Sequence, residues 1–122
     1  MADTVLYVED DDTNIHMVTR ILKRRTNIDL IIATSGHQGL QLAHDTVPRL
    51  ILLDRRLPDI LGNEVLRRLK DSTRTATIPV VMISGDSDSE HTTELLHLGA
   101  AAFLPKPFDV RQLLAIVDRF CG

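Results

Sequence analysis

No tryptophan occurs in this sequence of 122 residues, and its aromatic complement is one tyrosine and three phenylalanines. Any core it builds is therefore aliphatic, made of Leu, Ile and Val. The single cysteine, Cys121, can close no internal disulfide, which is compatible with a reducing compartment. No apolar run approaches the roughly 20 residues that a membrane-spanning helix needs, and the N-terminus lacks a signal-peptide apolar segment. A cytoplasmic location is expected from these absences. Charge of one sign is also missing: the net charge is −3, so no global field draws the chain to nucleic acid or to anionic lipid. Neither is expected as a direct partner. The basic clusters Lys23-Arg24-Arg25 and Arg67-Arg68 fall on helix-like segments and read as solvated helix faces. The five histidines show no metal-binding spacing. Linkers, repeats and low-complexity tracts are absent too, so residues 1–122 read as one domain.

What is present is an alternation. Val5-Leu6-Tyr7-Val8 reads as a buried strand that stops abruptly at Glu9-Asp10-Asp11-Asp12. Asp12 or Thr13 can cap the helix that follows, whose stripe is Ile15, Val18, Thr19, Ile21 and Leu22. Residues 29–34 read as a second strand, and Ser35-Gly36 opens a helix with Leu40, Leu42 and Ala43 facing in. Leu50-Ile51-Leu52-Leu53 has no polar alternation, as expected of a strand covered on both faces, and it ends at Asp54. Val65, Leu66 and Leu69 mark a third helix beyond a Pro58–Gly62 loop. Residues 79–83 form another apolar run, ending at Ser84-Gly85. A helix over about residues 90–98 is stopped by Gly99. Ala102-Phe103-Leu104 is a last short strand, and Asp109 caps a final helix. Five repeats of strand then helix predict a doubly wound α/β fold: a parallel sheet with right-handed crossovers and helices on both faces.

In such sheets, ligands bind outside the carboxyl ends of the strands. The first strand delivers Glu9, Asp10 and Asp11 to that rim, the third Asp54, the fourth Ser84 and the fifth Lys106. Any one of these alone reads as a cap, a turn or a surface charge. Together they form a chemical set. Clustered carboxylates repel unless a cation neutralises them, and oxygen ligands suit Mg²⁺. A carboxylate can attack phosphorus and hold an acyl phosphate. An ammonium and a hydroxyl can then balance the phosphoryl oxygens.

Residues Val5 to Asp10, Leu52-Leu53-Asp54 with Leu57-Pro58, Val81 to Gly85, and Phe103 to Phe108 resemble the receiver domains of two-component response regulators over essentially the whole chain. The resemblance implies a flavodoxin-like sheet of order 2-1-3-4-5. It implies Asp54 as phosphoacceptor, with Ser84 and Lys106 assisting. Asp10 is implied as a direct Mg²⁺ ligand, Glu9 as a ligand directly or through water, and Asp54 and the backbone carbonyl of Arg56 as the others. Ser84 and Phe103 match the switch pair, although Phe103 has a plain alternative as a core ring. The Lys106–Pro107 bond is implied to be cis. Asp11 and Asp12 read as helix-cap and dipole partners. The implied partner is a histidine kinase or histidine phosphotransfer protein, and the implied output is a change in the surface of the fourth helix, fifth strand and fifth helix, near His91, Glu94, Arg111 and Gln112. A homodimer through that surface is common in the family. Such a domain assists its own phosphorylation and dephosphorylation and is not otherwise an enzyme.

Two departures stand out. Arg56 places a long cation beside the site, within reach of Asp86 or of Glu9, and a pair with Asp86 would screen the phosphoryl group and slow its loss. Leu61 stands before Gly62 where many relatives have aspartate, a change read as loop tuning. Two rivals remain at this level: a pseudo-receiver that binds partners without phosphorylation, and a phosphohydrolase of the haloacid dehalogenase type. The second wants an acidic residue at the position of Arg56. A stand-alone regulator and a receiver belonging to a longer protein such as a hybrid kinase are equally compatible with the sequence.

Overall fold

Every apolar run becomes a strand and every helical stripe a helix. A computed structural model of the chain describes residues 2–85, 89–107 and 109–121, and the side chains of 89–91 are not described. In chain order the elements are β1 (Asp3–Val8), α1 (Asp12–Leu22), β2 (Ile28–Ala33), α2 (Gly36–Thr46), β3 (Leu50–Asp54), α3 (Gly62–Asp71), β4 (Val80–Ser84), α4 (Ser89–His97), β5 (Ala102–Pro105) and α5 (Val110–Phe120). The five strands form one parallel sheet of order β2-β1-β3-β4-β5, the flavodoxin-like order expected.

The sheet divides the interior into two cores. Val5, Tyr7, Leu50, Leu52, Val81, Ile83 and Leu104 pack with Val18, Ile21 and Leu22 of α1 and with Leu113 and Val117 of α5. Leu6, Val8, Ile51, Leu53, Val80 and Met82 face the other way, toward Ala43 of α2, Val65, Leu66 and Leu69 of α3, and Leu95 of α4. The assignment follows the two-residue period of a strand. All of β3 is buried, which is why its sequence shows no polar alternation.

Boundaries differ from the expected ones by a residue or two, for pairing reasons. The run β1 starts at Asp3, because Asp3 donates its N–H to the Asn27 carbonyl at 2.8 Å and pairs with Ile28. Ser84 joins β4 because it pairs with Pro105. The cap of α1 is Asp11, as its reading with Asp12 as cap and dipole partners has it, and not Asp12 or Thr13: its Oδ1 accepts the N–H groups of Thr13 at 2.8 Å and Asn14 at 3.3 Å. Asp12 then sits in the first turn, where the helix dipole favours a carboxylate. Ser35 and Asp109 cap α2 and α5 as expected. Gly99 has φ of +106°, a left-handed conformation that ends α4 at little steric cost.

Of the basic clusters, Arg67-Arg68 lies on the exposed face of α3 as expected, whereas Lys23-Arg24-Arg25 falls in the turn after α1, because the helix ends at Leu22. Arg25 grips Asp118 of α5 through two contacts of 2.8 Å, and Arg67 pairs with Glu64 and Asp71. Cys121 is a buried free thiol. Among the described residues no helix is long and apolar enough to cross a membrane.

The entry to α3 bears on the site. Gly62 donates its N–H to the Arg55 carbonyl at 2.7 Å, and a Cβ there would collide with the Asp54 carbonyl oxygen and lie 2.8 Å from Arg55 Cα. Only glycine lets this helix start so close to the end of β3. Leu61 holds the N-cap position with no side-chain hydrogen bond and is 52% exposed. The loop change thus has an energetic consequence, a missing cap. Leu61→Asp is expected to raise stability by about 1 kcal/mol, the usual worth of an N-cap oxygen. Urea unfolding checks it, and an unchanged or lower midpoint would refute the capping account.

Candidate functional site

Strand register assembles the site at the carboxyl edge. Val8 pairs with Leu53, so the next residues, Glu9 and Asp54, arrive side by side between the two central strands, where the strand order reverses. Lys106 follows Pro105, the partner of Ser84, and its backbone N–H donates to the Ser84 carbonyl at 3.1 Å. The Lys106–Pro107 bond is cis, as the resemblance implied.

Lys106 Nζ donates to Asp54 Oδ2 at 2.8 Å and to Glu9 Oε1 at 3.1 Å. Glu9 is 1% exposed and Asp54 4%, whereas Asp10 is exposed. Asp54 Oδ1 also accepts the backbone N–H of Arg56 at 3.2 Å. One carboxylate oxygen from each of Glu9, Asp10 and Asp54 falls within 4.8 Å of the others. An all-oxygen, acidic donor set of this size fits a hard divalent cation.

Burial is the largest influence on both buried carboxyls and acts to raise them. For Asp54 the hydrogen bond with Glu9 adds to it and Lys106 opposes it, and the group is pushed up to about 7. For Glu9 the hydrogen bond with Asp54, the charge of Lys106 and the amide of Asn14 outweigh burial, and the group is lowered. Of the two, Asp54 is therefore the group that binds a proton more readily. The donor count agrees, because Glu9 Oε1 receives Tyr7, Asn14 and Lys106 together. Burial acts to lower Lys106, but Asp54 and Glu9 reverse that and raise it, so the ammonium stays charged.

Ser84 and Phe103 lie on the α4 side of the sheet. With Met82, Thr92 and Leu95 they line a cavity of about 160 Å³. Phe103 is half-buried and packs against the α2/α3/α4 core. The side chain of Arg56 is exposed; Asp86, its suggested partner, and Phe108 lie outside the described residues. Glu94, Arg111 and Gln112 are exposed on α4 and α5, and the side chain of His91 is not described. A further cavity, about 650 Å³, lies at the opposite edge beside Asp3, Arg49 and Arg119 and brings no carboxylate pair together.

Three residues at or near the site were not anticipated. Tyr7, fully buried, donates its hydroxyl to Glu9 Oε1 at 3.1 Å, and Asn14 donates Nδ2 to the same oxygen at 3.0 Å. A tyrosine in an otherwise aliphatic strand, two positions before an acid and so on the same face, was the available signal. Asp59, in the loop after β3, receives the N–H groups of Gly36 at 2.7 Å and His37 at 2.9 Å. Burial acts to raise the Asp59 carboxyl, but the amides of His37 and Gly36 outweigh it and hold it well below the usual range. Nothing local in the sequence announces that contact.

The raised Asp54 carboxyl has a sign to its effect on stability. Its folded value, about 7, exceeds the ordinary unfolded value, so the folded chain binds the extra proton. That contribution is fully present below about pH 4 and is lost as pH rises through about 7. Asp54→Asn is therefore expected to be more stable than the parent at pH 8 and to flatten the pH dependence between these limits. Thermal melts across pH check this, and a variant no more stable at pH 8 would rule it out.

The family model for the response regulator receiver domain matches residues 5–118. The DNA-binding dual master transcriptional regulator RpaA of Synechocystis is 36% identical over 112 residues, covering 92% of this chain and 46% of RpaA. Histidine kinase P4 of Formosa agariphila is 33% identical over 109 residues, 89% of this chain and 8% of the kinase. The polar-differentiation response regulator DivK of Brucella abortus is 30% identical over 122 residues, 100% of this chain and 98% of DivK. The chain thus spans less than half the length of RpaA and of the kinase, and nearly all of DivK. Among solved structures, a CheY-like receiver domain protein from Methanospirillum hungatei JF-1 matches with a TM-score of 0.88 and 26% identity, covering 98% of this chain and 93% of that one. The Mn²⁺-bound form of response regulator Rcp1 matches at 0.80 and 29%, covering 96% and 90%. With the acidic rim and the strand order both in place, and DivK matched from end to end, the chain belongs to the response regulator receiver domain family.

Proposed function

We propose that this chain is a Mg²⁺-dependent phosphorylation switch in which Asp54 accepts a phosphoryl group from a histidine kinase or a histidine phosphotransfer protein. The observation that carries the reading is the contact of one ammonium, Lys106, with two buried carboxylates, one of them Asp54, at the ligand-binding edge of the sheet. Glu9, Asp10, Asp54 and the backbone carbonyl of Arg56 would hold Mg²⁺, which when bound offsets charge on the transferred phosphoryl oxygens. The oxygen donor set supports this, as does the Mn²⁺-bound form of a relative.

A carboxylate oxygen of Asp54 attacks phosphorus. The new O–P bond forms as the bond from phosphorus to the donor imidazole nitrogen breaks. The electron pair leaves with that nitrogen, which takes up a proton from solvent. Lys106 stays with the charge as it spreads onto the phosphoryl oxygens, and the Ser84 hydroxyl donates to one of them. When Ser84 turns toward the phosphoryl group, the cavity beside it gives Phe103 room to move inward. The α4–β5–α5 surface then changes by a shift in population, because only one of its arrangements makes the added contacts. Loss of the group is attack by water on phosphorus, with the Asp54 carboxylate as leaving group.

Intact mass after incubation with acetyl phosphate tests the reading. A single phosphoryl adduct is expected with Mg²⁺, none without it, and none in Asp54→Ala. Lys106→Met is expected to slow adduct formation by about 10²-fold, the usual cost of one donor to developing charge. A folded parent that gains no adduct with Mg²⁺ present sinks the proposal.

A further inference from the structure

Tyr7 takes no part in the chemistry above, yet it is the most deeply placed of the groups that touch it. Its ring is fully buried in the α1/α5 core with Val5, Leu52 and Ile83, and its hydroxyl reaches the edge of the sheet to meet Glu9. Resting on the reading of the site as a cation-binding one, we propose that Tyr7 is a positioning residue, which pins Glu9 by Oε1 and leaves Oε2 as the oxygen offered to a divalent cation.

Three donors from three elements converge on Glu9 Oε1: the hydroxyl of Tyr7 in β1 at 3.1 Å, Nδ2 of Asn14 in α1 at 3.0 Å and Nζ of Lys106 after β5 at 3.1 Å. A carboxylate oxygen has about two lone-pair sites, so three donors saturate it. Oε2 receives the backbone N–H of Asp10 at 3.2 Å and lies toward the chain segment that carries the exposed carboxylate. The three donors differ in permanence. Lys106 also serves Asp54, and a phosphoryl group would draw it away. Asn14 stands in the first turns of a solvent-facing helix and is half-buried. Tyr7 has no access to water and no freedom to leave, because its ring is packed on every side. It is the donor whose contact with Glu9 survives each state of the site.

A plainer account exists. Any buried phenol needs an acceptor, and Glu9 could be only that. The two accounts part on cation affinity. The chain has one tyrosine and no tryptophan, so its intrinsic emission under tyrosine excitation comes from this ring alone. The test is calorimetric titration of MgCl₂ into the parent and into Tyr7→Phe, with tyrosine emission of the parent followed in parallel. Phe keeps the ring and removes only the hydroxyl, and circular dichroism checks that the variant folds. The expected results are Mg²⁺ affinity weaker by about tenfold in Tyr7→Phe, as outer-shell partners of metal ligands typically give, and parent emission that changes with the calorimetric midpoint. Equal affinity within about twofold, with or without a lower melting temperature, overturns the role of Tyr7 while leaving the site reading intact. So does parent emission that ignores Mg²⁺ while calorimetry records binding. No Mg²⁺ uptake by the parent overturns the site reading, and the role of Tyr7 with it.

Discussion

The ammonium of Lys106 lies 2.8 Å from Asp54 and 3.1 Å from Glu9, and both carboxylates are almost wholly withdrawn from water. A buried charge without a partner is costly, and two like charges at close range more so. One cation cannot neutralise both. The remainder raises the affinity of Asp54 for a proton and, in the proposed function, is met by a divalent cation and then a phosphoryl group. Much of the rim follows from that unfinished neutralisation: the capped α1 that delivers Asn14, the turn that returns Lys106 toward the sheet, and the glycine that lets α3 start against Asp54.

The sheet sets which events reach which face. Tyr7 faces the α1/α5 core, while Ser84 and Phe103 border a cavity on the α4 side. Between them Glu9 and Asp54 stand at the ends of adjacent strands. Behind the site the α1/α5 layer packs Tyr7 with Val5, Leu52 and Ile83, and its described cavity, about 320 Å³, lies at the far end of α1 beside Thr19, Leu22 and Ile28. The α4 layer keeps open volume. What adjoins the site itself is the α4-side cavity, which Ser84 and Phe103 line. In the proposed function, a change in charge at Asp54 therefore finds room toward α4.

Much of this was legible because strand ends announce themselves. Leu50 to Leu53 could only be a strand covered on both faces, and the polar residue that stops each apolar run is the one delivered to the rim. The two-residue period of a strand accounts for which core each residue enters once the helices are in place. What escaped depends on contacts between elements. Tyr7 looks like one more core residue until the neighbouring strand and helix bring Asn14 and Lys106 to the same oxygen. The cap of α1 stayed open among Asp11, Asp12 and Thr13, because consecutive polar residues offer several candidates and only backbone geometry chooses Asp11 among them. Strand β1 begins at Asp3 because β2 pairs with it there, which hydropathy cannot reveal.

The segment that leaves Asp54 is held at both of its ends. The N–H of Arg56 is tied to the Asp54 side chain and that of Gly62 to the Arg55 carbonyl, and between them Asp59 grips the first amides of α2. Helix α2 contributes no atom to the acidic cluster, yet it serves as the mooring for the loop that frames it. Substitutions on the opening turn of α2, remote in sequence from Asp54, therefore act as adjustments to the tension of that loop, most directly at His37, whose ring Nδ1 also meets Asp59 at 2.6 Å.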